Sequence, residues 1–228
     1  MRDNNLSFHL ALVAGSLLLL LSFLLPSAAY GQTSVRLLPQ VGAWSPTSEM
    51  ETLRDDGEGI VGASRQSSSL AWGLGLEVGP AREGTSFRVN VGYGTDRDVP
   101  VWGTDCPGCS ARSSLLTGTA AAVFRPIPRL VIVQPHFLVG AGFKQYGFEF
   151  QGLDDDASTW EQVFRDQTRA AGQAGVGAEV SILGLRTQWE LNGYVSRFRR
   201  GEDPNSPGGG DTSLQTDLFL TLAIPLGG

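Results

Sequence analysis

The chain has 228 residues, a net charge of -6, 41% hydrophobic residues, 30 Gly and only 2 Cys. That length is enough for one domain with a substantial core, and an acidic chain without a basic stripe gives no footing for a nucleic acid. Glycine stands well above its usual share of about 7%, while Lys and His are scarce.

In chain order, MRDNN is followed by the apolar run LALVAGSLLLLLSFLLP and then by the small residues SAAYGQ. This is the layout of a secretory signal, with cleavage fitting after Ala29 or after Gly31. Residues 1–31 are therefore expected to be removed and residues 32–228 to form the mature domain. A retained anchor is the rival reading, but the run halts at Pro26, short of the roughly 20 residues a spanning helix needs. No cysteine follows that would carry a bacterial lipid anchor, and the mature chain is expected outside the cytosol.

After residue 34 the pattern has a period of two or near it, in stretches 34–44, 68–78, 86–95, 112–124, 130–147, 168–181, 185–198 and 212–226. No stretch carries a convincing helical period. Each is long for a strand of a soluble protein, where about five or six residues is usual. Lengths of about ten suit a tilted crossing of a membrane's apolar layer.

The connections divide into two kinds. GPAREGT, RPIPR and Leu183-Gly184 are tight, whereas 45–67, 96–111, 148–167 and 199–211 are long and polar, and the two kinds alternate along the whole chain. An antiparallel meander then gathers the long links at one end and the tight turns at the other, as outer-membrane barrels do.

Within the strands, one face is apolar and the other polar. Phe87, Val89, Val91 and Tyr93 alternate with Arg88, Asn90, Gly92 and Gly94. Phe137, Val139, Ala141 and Phe143 alternate with His136, Leu138, Gly140, Gly142 and Lys144. Later, Trp189 and Leu191 oppose Gln188, Glu190 and Asn192, and Leu218, Leu220 and Leu222 oppose Asp217, Phe219 and Thr221. The stretch LLTGTAAAVF leaves its facing open.

Glycines recur within the polar face, at Gly73, Gly75, Gly140, Gly142, Gly175 and Gly177. On a face open to water they waste strand stability; inside a narrow barrel they leave room for long charged side chains. Aromatics gather towards strand ends on the other face, at Phe87, Tyr93, Phe124 and Phe143, where interfacial girdles belong. The apolar face is therefore expected to meet lipid and the polar face to be sealed within, so that Trp189 points out and Glu190 in. The competing arrangement is a soluble, inside-out barrel of the lipocalin sort.

Lipid offers no partner to an open sheet edge, so the first and eighth strands are expected to pair. An eight-stranded interior is just wide enough for side chains to fill it. The expected interior polar network is Arg36, Glu77, Arg88, Lys144, Glu179, Arg186, Glu190 and Asp217, with Gln40, Asn90 and Asn192 among them. Both signs are represented, and buried charges must pair to offset desolvation. A closed lattice of ion pairs, not an open aqueous pore, is the expectation.

The pattern resembles the eight-stranded outer-membrane barrel family typified by the transmembrane domain of outer-membrane protein A and its small adhesin-like relatives. QPHFLVGAGF, Gln134 to Phe143, is similar to that family's recurrent strand start after a periplasmic turn. The resemblance spans the mature chain, with loose motifs shared by many barrels. It implies an all-β, antiparallel up-and-down barrel in the outer membrane of a Gram-negative-type bacterium, with both termini in the periplasm and the long links outside. Such barrels usually finish on an aromatic residue; this sequence reads AIPLGG there, which departs from the family's assembly signal.

Few residues suggest chemistry. Cys106 and Cys109 form a C-x-x-C pair in a long link, and a disulfide pinning that link is preferred to a redox or metal role, since an ordinary zinc site needs two more ligands of this kind. His136 is the one histidine beyond the signal; it lacks a nucleophile pattern beside it and reads as a satisfied interior side chain, not as the base of a lipid A-modifying enzyme. Asp55-Asp56-Gly57-Glu58 and Asp154-Asp155-Asp156 read as solvated loop tips before cation sites. Arg197, Arg199 and Arg200 stand at an outer rim, where hydration is the plain reading and lipopolysaccharide phosphates the more specific one.

No catalytic, cofactor or metal site is expected. The expected role is structural or surface-interacting and adhesin-like, exercised by a monomer in contact with outer-membrane lipid and lipopolysaccharide. Any surface ligand or partner protein would meet links 45–67, 96–111, 148–167 and 199–211. A small-solute porin or transport component is the first alternative, and a lipid A-modifying barrel enzyme the second.

Overall fold

The period-two stretches fold as strands because their branched and aromatic residues fill one pleated face while small and polar residues take the other. The computed structural model describes residues 33–48, 51–55, 59–64, 68–80, 84–100, 110–127, 132–151, 166–199 and 212–227. The strands are β1 (Thr33–Pro46), β2 (Glu51–Asp55), β3 (Gly59–Ser64), β4 (Ser69–Pro80), β5 (Gly84–Pro100), β6 (Ser110–Arg125), β7 (Val133–Gln151), β8 (Gln167–Ile182), β9 (Leu185–Arg199), β10 (Thr212–Ala223) and β11 (Leu226–Gly227).

Sequential antiparallel pairing runs β1-β4-β5-β6-β7-β8-β9-β10, and β10 returns to β1, closing an eight-stranded up-and-down barrel. At the closing seam Gln40 faces Ala223 and Pro46 faces Asp217. Pro225 interrupts the last strand, since it has no N–H to give the ladder. Ile224 N still donates to Pro39 O (3.3 Å), and β11 resumes the pairing at Leu37↔Leu226 and Arg36↔Gly227.

The first long link carries its own two-stranded sheet, β2 with β3, which the polar composition of that link did not suggest. Strands β5, β6 and β7 run further than expected, into the links at 96–111 and 148–167, with register pairs continuing as far as Pro100↔Ser110↔Gln151. β7 starts at Val133, three residues later than its sequence pattern suggested. Residues 1–31, where a signal is expected, and Cys106 and Cys109 lie outside the described residues.

The faces follow the alternation. Val139, Leu220, Trp72 and Trp189 lie exposed on the outer surface, while Arg88 and Lys144 are fully buried inside. The facing of β6, open from sequence, is settled: Leu115, Thr117, Thr119, Ala121, Val123 and Arg125 point inward, and Ala122 and Phe124 outward. Along β9 the outward positions Leu185 to Val195 are apolar apart from Thr187 and Gly193. At about 3.4 Å per residue and a tilt near 40° they cover roughly 25 Å of the axis, the height of a transmembrane barrel's apolar band.

Trp72 and Tyr93 lie against each other on the outer face, with ring centroids 5.5 Å apart. A closed sheet, apolar outside and ionic inside, leaves no backbone edge for lipid to meet. The architecture is that of an outer-membrane barrel.

Candidate functional site

The barrel interior is the candidate site, and strand register builds it. Arg36, Glu77 and Arg88 occupy one cross-strand row on β1, β4 and β5. His136, Gly177 and Glu190 occupy another on β7, β8 and β9. Because inward side chains from opposite walls reach the same narrow axis, these rows meet near the tight-turn end.

Glu77 is the hub. Its Oε2 accepts Nη2 and Nε of Arg88 at 2.7 and 3.0 Å, and its Oε1 accepts Arg36 Nη2 and, at 2.8 Å, the Ser86 hydroxyl. Arg125 Nη2 lies 2.8 Å from the same Oε1, and Arg125 Nη1 donates to Ser86 Oγ at 2.8 Å. Arg36 Nη1 reaches Glu179 Oε2 at 2.8 Å, tying β1 to β8. Arg88 Nη1 reaches Glu190, which also receives His136 Nε2 at 2.7 Å, Gln188 Nε2, and Asn192 Nδ2 at 3.2 Å.

Three guanidiniums thus face three carboxylates, every one of them almost wholly buried. Charge balance and multiple hydrogen bonds per group are the conditions under which buried ions offset their desolvation.

A second group fills the half nearer the long links. Lys144 Nζ donates to Asp217 Oδ2, and Trp44 Nε1 donates to Oδ1 of the same carboxylate at 3.2 Å. The Lys144 ammonium lies 5.2 Å from the centre of the Tyr146 ring, within cation–π range. Trp44 and Tyr194 pack on Phe219, with centroids 6.2 and 5.0 Å away, and Leu115 and Ala71 complete this apolar plug. Between the two groups is a cavity of about 20 Å³ lined by Gln40, Asn90, Thr117, Asn192, Tyr194 and Thr221 among others. That is room for about one water molecule.

Of the residues expected inside, Arg36, Glu77, Arg88, Glu179 and Glu190 meet in the first group, and Lys144 and Asp217 in the second. Arg186 does not join them. It has the inward parity but stands one pair from the β8–β9 turn, opposite Ser181, and its side chain is exposed beyond the lattice. Arg197 is exposed on the outer face at the long-link end of β9; Arg199 closes that strand, and Arg200 lies outside the described residues.

Sequence reasoning missed Arg125, which it placed in the turn RPIPR, and it missed Trp44 and Tyr146 as second-group members. The inward parity of Thr117, Thr119, Ala121 and Val123, continued two residues, would have found Arg125. Among the described residues no three His, Cys, Asp or Glu side chains converge as metal ligands.

No protein-family profile and no curated protein matches the chain. Solved structures similar to it include the outer membrane protein OprG from Pseudomonas aeruginosa, at 14% identity over 86% of this chain and 97% of that one, with a TM-score of 0.48. Neisserial surface protein A (NspA) is similar at 8% identity over 84% and 96%, with a TM-score of 0.46. The Escherichia coli outer membrane protein W is similar at 18% identity over 83% and 97%, with a TM-score of 0.37.

Proposed function

We propose that this chain is a non-conducting, non-enzymatic barrel of the outer membrane whose work is done at the cell surface. Links 45–67, 96–111, 148–167 and 199–211 are the parts that meet a ligand or partner. The observation that carries this reading is the doubly blocked interior: an ionic lattice at one end, the Trp44–Phe219 plug at the other, and about 20 Å³ between them. A hydrated ion finds no continuous path through such a bore.

The non-enzymatic reading draws on His136, whose ring is buried and bound to Glu190 at 2.7 Å, out of reach of a lipid acyl chain. Closure supports a monomer, since each barrel strand already has both neighbours. The exposure of Arg197 on the outer face, at the long-link end of β9, supports a contact with lipopolysaccharide phosphate. Planar-bilayer recording with the purified, refolded protein tests the reading. A silent membrane is expected, and reproducible open-channel steps would transfer the chain to the porin class.

A further inference from the structure

Leu183 combines two properties that oppose each other in water. It is the sole non-glycine with positive φ among the described residues, at 52°, and its side chain is completely exposed, at 102%. With Gly184 at φ 84° it forms the two-residue link between β8 and β9, positive at both central positions as a type I′ turn requires. In that conformation a Cβ crowds the following carbonyl, so Asn, Asp or Gly is the usual occupant. Asn in this place would relieve the backbone and be well hydrated. A leucine is favoured there only if its side chain leaves water.

The neighbours say what replaces the water. Ile182 and Leu185 flank the turn and are exposed on the outer face. Ser181 N donates to Ile132 O at 2.8 Å, which holds Ile132 beside them, and Ile127 is exposed across the β6–β7 turn. Through Val180 and Ala178 on β8 this ledge runs into the outward belt of Val176, Leu191 and Trp189, with Thr187 as the polar position on its β9 side. On the far side of the barrel the same end is mixed, with Val35 and Leu226 exposed beside Thr33, Thr85 and Ser34, whose hydroxyl donates to Gly79 O at 3.2 Å.

We propose that the β6–β9 side of the tight-turn end is immersed in the inner leaflet. The Leu183 turn then acts as a lipid-embedded anchor seated among phospholipid acyl chains. This rests on the outer face being the lipid face, and not on the interior being closed to ions.

The test uses the full mature chain carrying C106S and C109S, so that an introduced cysteine is its sole thiol. Nitroxide-labelled L183C and, as a reference within the belt, L191C are reconstituted in phosphatidylcholine–phosphatidylglycerol vesicles. Collision with oxygen and with a water-soluble nickel chelate is then measured for each. The label at 183 is expected to favour oxygen as the one at 191 does, with nickel collisions several-fold below those of free label in water. Nickel access at 183 equal to that of free label, with 191 still protected, overturns the anchor; an exposed 191 would instead remove the lipid-face premise itself.

Leu183→Asn supplies a readout whose sign differs between the two environments. Its urea midpoint in vesicles is expected to fall, because lipid contact is lost. An unchanged or raised midpoint, as relief of backbone strain alone produces, also overturns the anchor.

Discussion

His136 of β7 and Glu190 of β9 bond at 2.7 Å across the whole width of β8, over Gly177, which lies between them in the cross-strand row. A Cβ added at Gly177 would stand 2.6 Å from His136 Nε2 and 2.5 Å from the Trp189 carbonyl. Gly177→Ala therefore displaces the imidazole from its carboxylate and is expected to cost about 1–3 kcal/mol. At Gly193 the added atom meets only Ala174 O at 3.7 Å and Leu218 Cδ2 at 3.8 Å. There the change to Ala should be neutral or stabilise by up to about 1 kcal/mol. Urea titration in vesicles, followed by tryptophan fluorescence, compares the two, and equal midpoints would contradict the role given to Gly177.

Removing one member of the lattice strands the others. Arg88 serves both Glu77 and Glu190, so Arg88→Met leaves two buried carboxylates short of a partner. The expected loss is about 3–5 kcal/mol, the range for breaking a buried pair from one side. A loss below about 1 kcal/mol by the same titration would mean that water reaches these carboxylates and the lattice is not sealed.

How much of this was legible beforehand depends on the range of the physics. Facing is local: side chains alternate along a strand, so Trp189 and Glu190 could be sent to opposite sides from sequence alone. Partners are not local. Arg36 and Glu179 lie 143 positions apart, and they meet only because the register of all intervening strands brings opposite walls onto one axis. The fate of Arg186 was hidden for a related reason, since parity gives the face of a residue and not its height along the barrel. Arg125 was lost to the prolines that follow it, which marked a turn so strongly that the last inward position of β6 was read as part of it. The β2–β3 sheet was missed because strands of 5 and 6 residues in a polar link carry little periodic signal.

The second group offers a cleaner measure of pairing. Lys144 and Asp217 bond to each other, while Trp44 and Tyr146 hold the two ends. Lys144→Met and Asp217→Leu should each destabilise by about 3–5 kcal/mol, and the double variant by much less than their sum. A coupling energy of about 2 kcal/mol or more is expected from the double-mutant cycle. Additive losses would show that the two charges are solvated separately.

Two leucines on one strand test the orientation of the barrel wall. Leu220 lies midway along the outward row of β10, between Leu218 and Leu222, whereas Leu214 lies near that row's outer end. An arginine at the bilayer midplane costs about 2–4 kcal/mol on the lipid face of a transmembrane barrel, falling to about 0–1 kcal/mol near an interface, where the guanidinium reaches the headgroups. Leu220→Arg should therefore lower the urea midpoint in vesicles strongly, and Leu214→Arg hardly at all. Both residues are exposed to a similar degree, so burial within the protein predicts no such difference. If the two variants unfold together, with losses near zero, the belt faces water and the interior must be understood as the core of a soluble barrel.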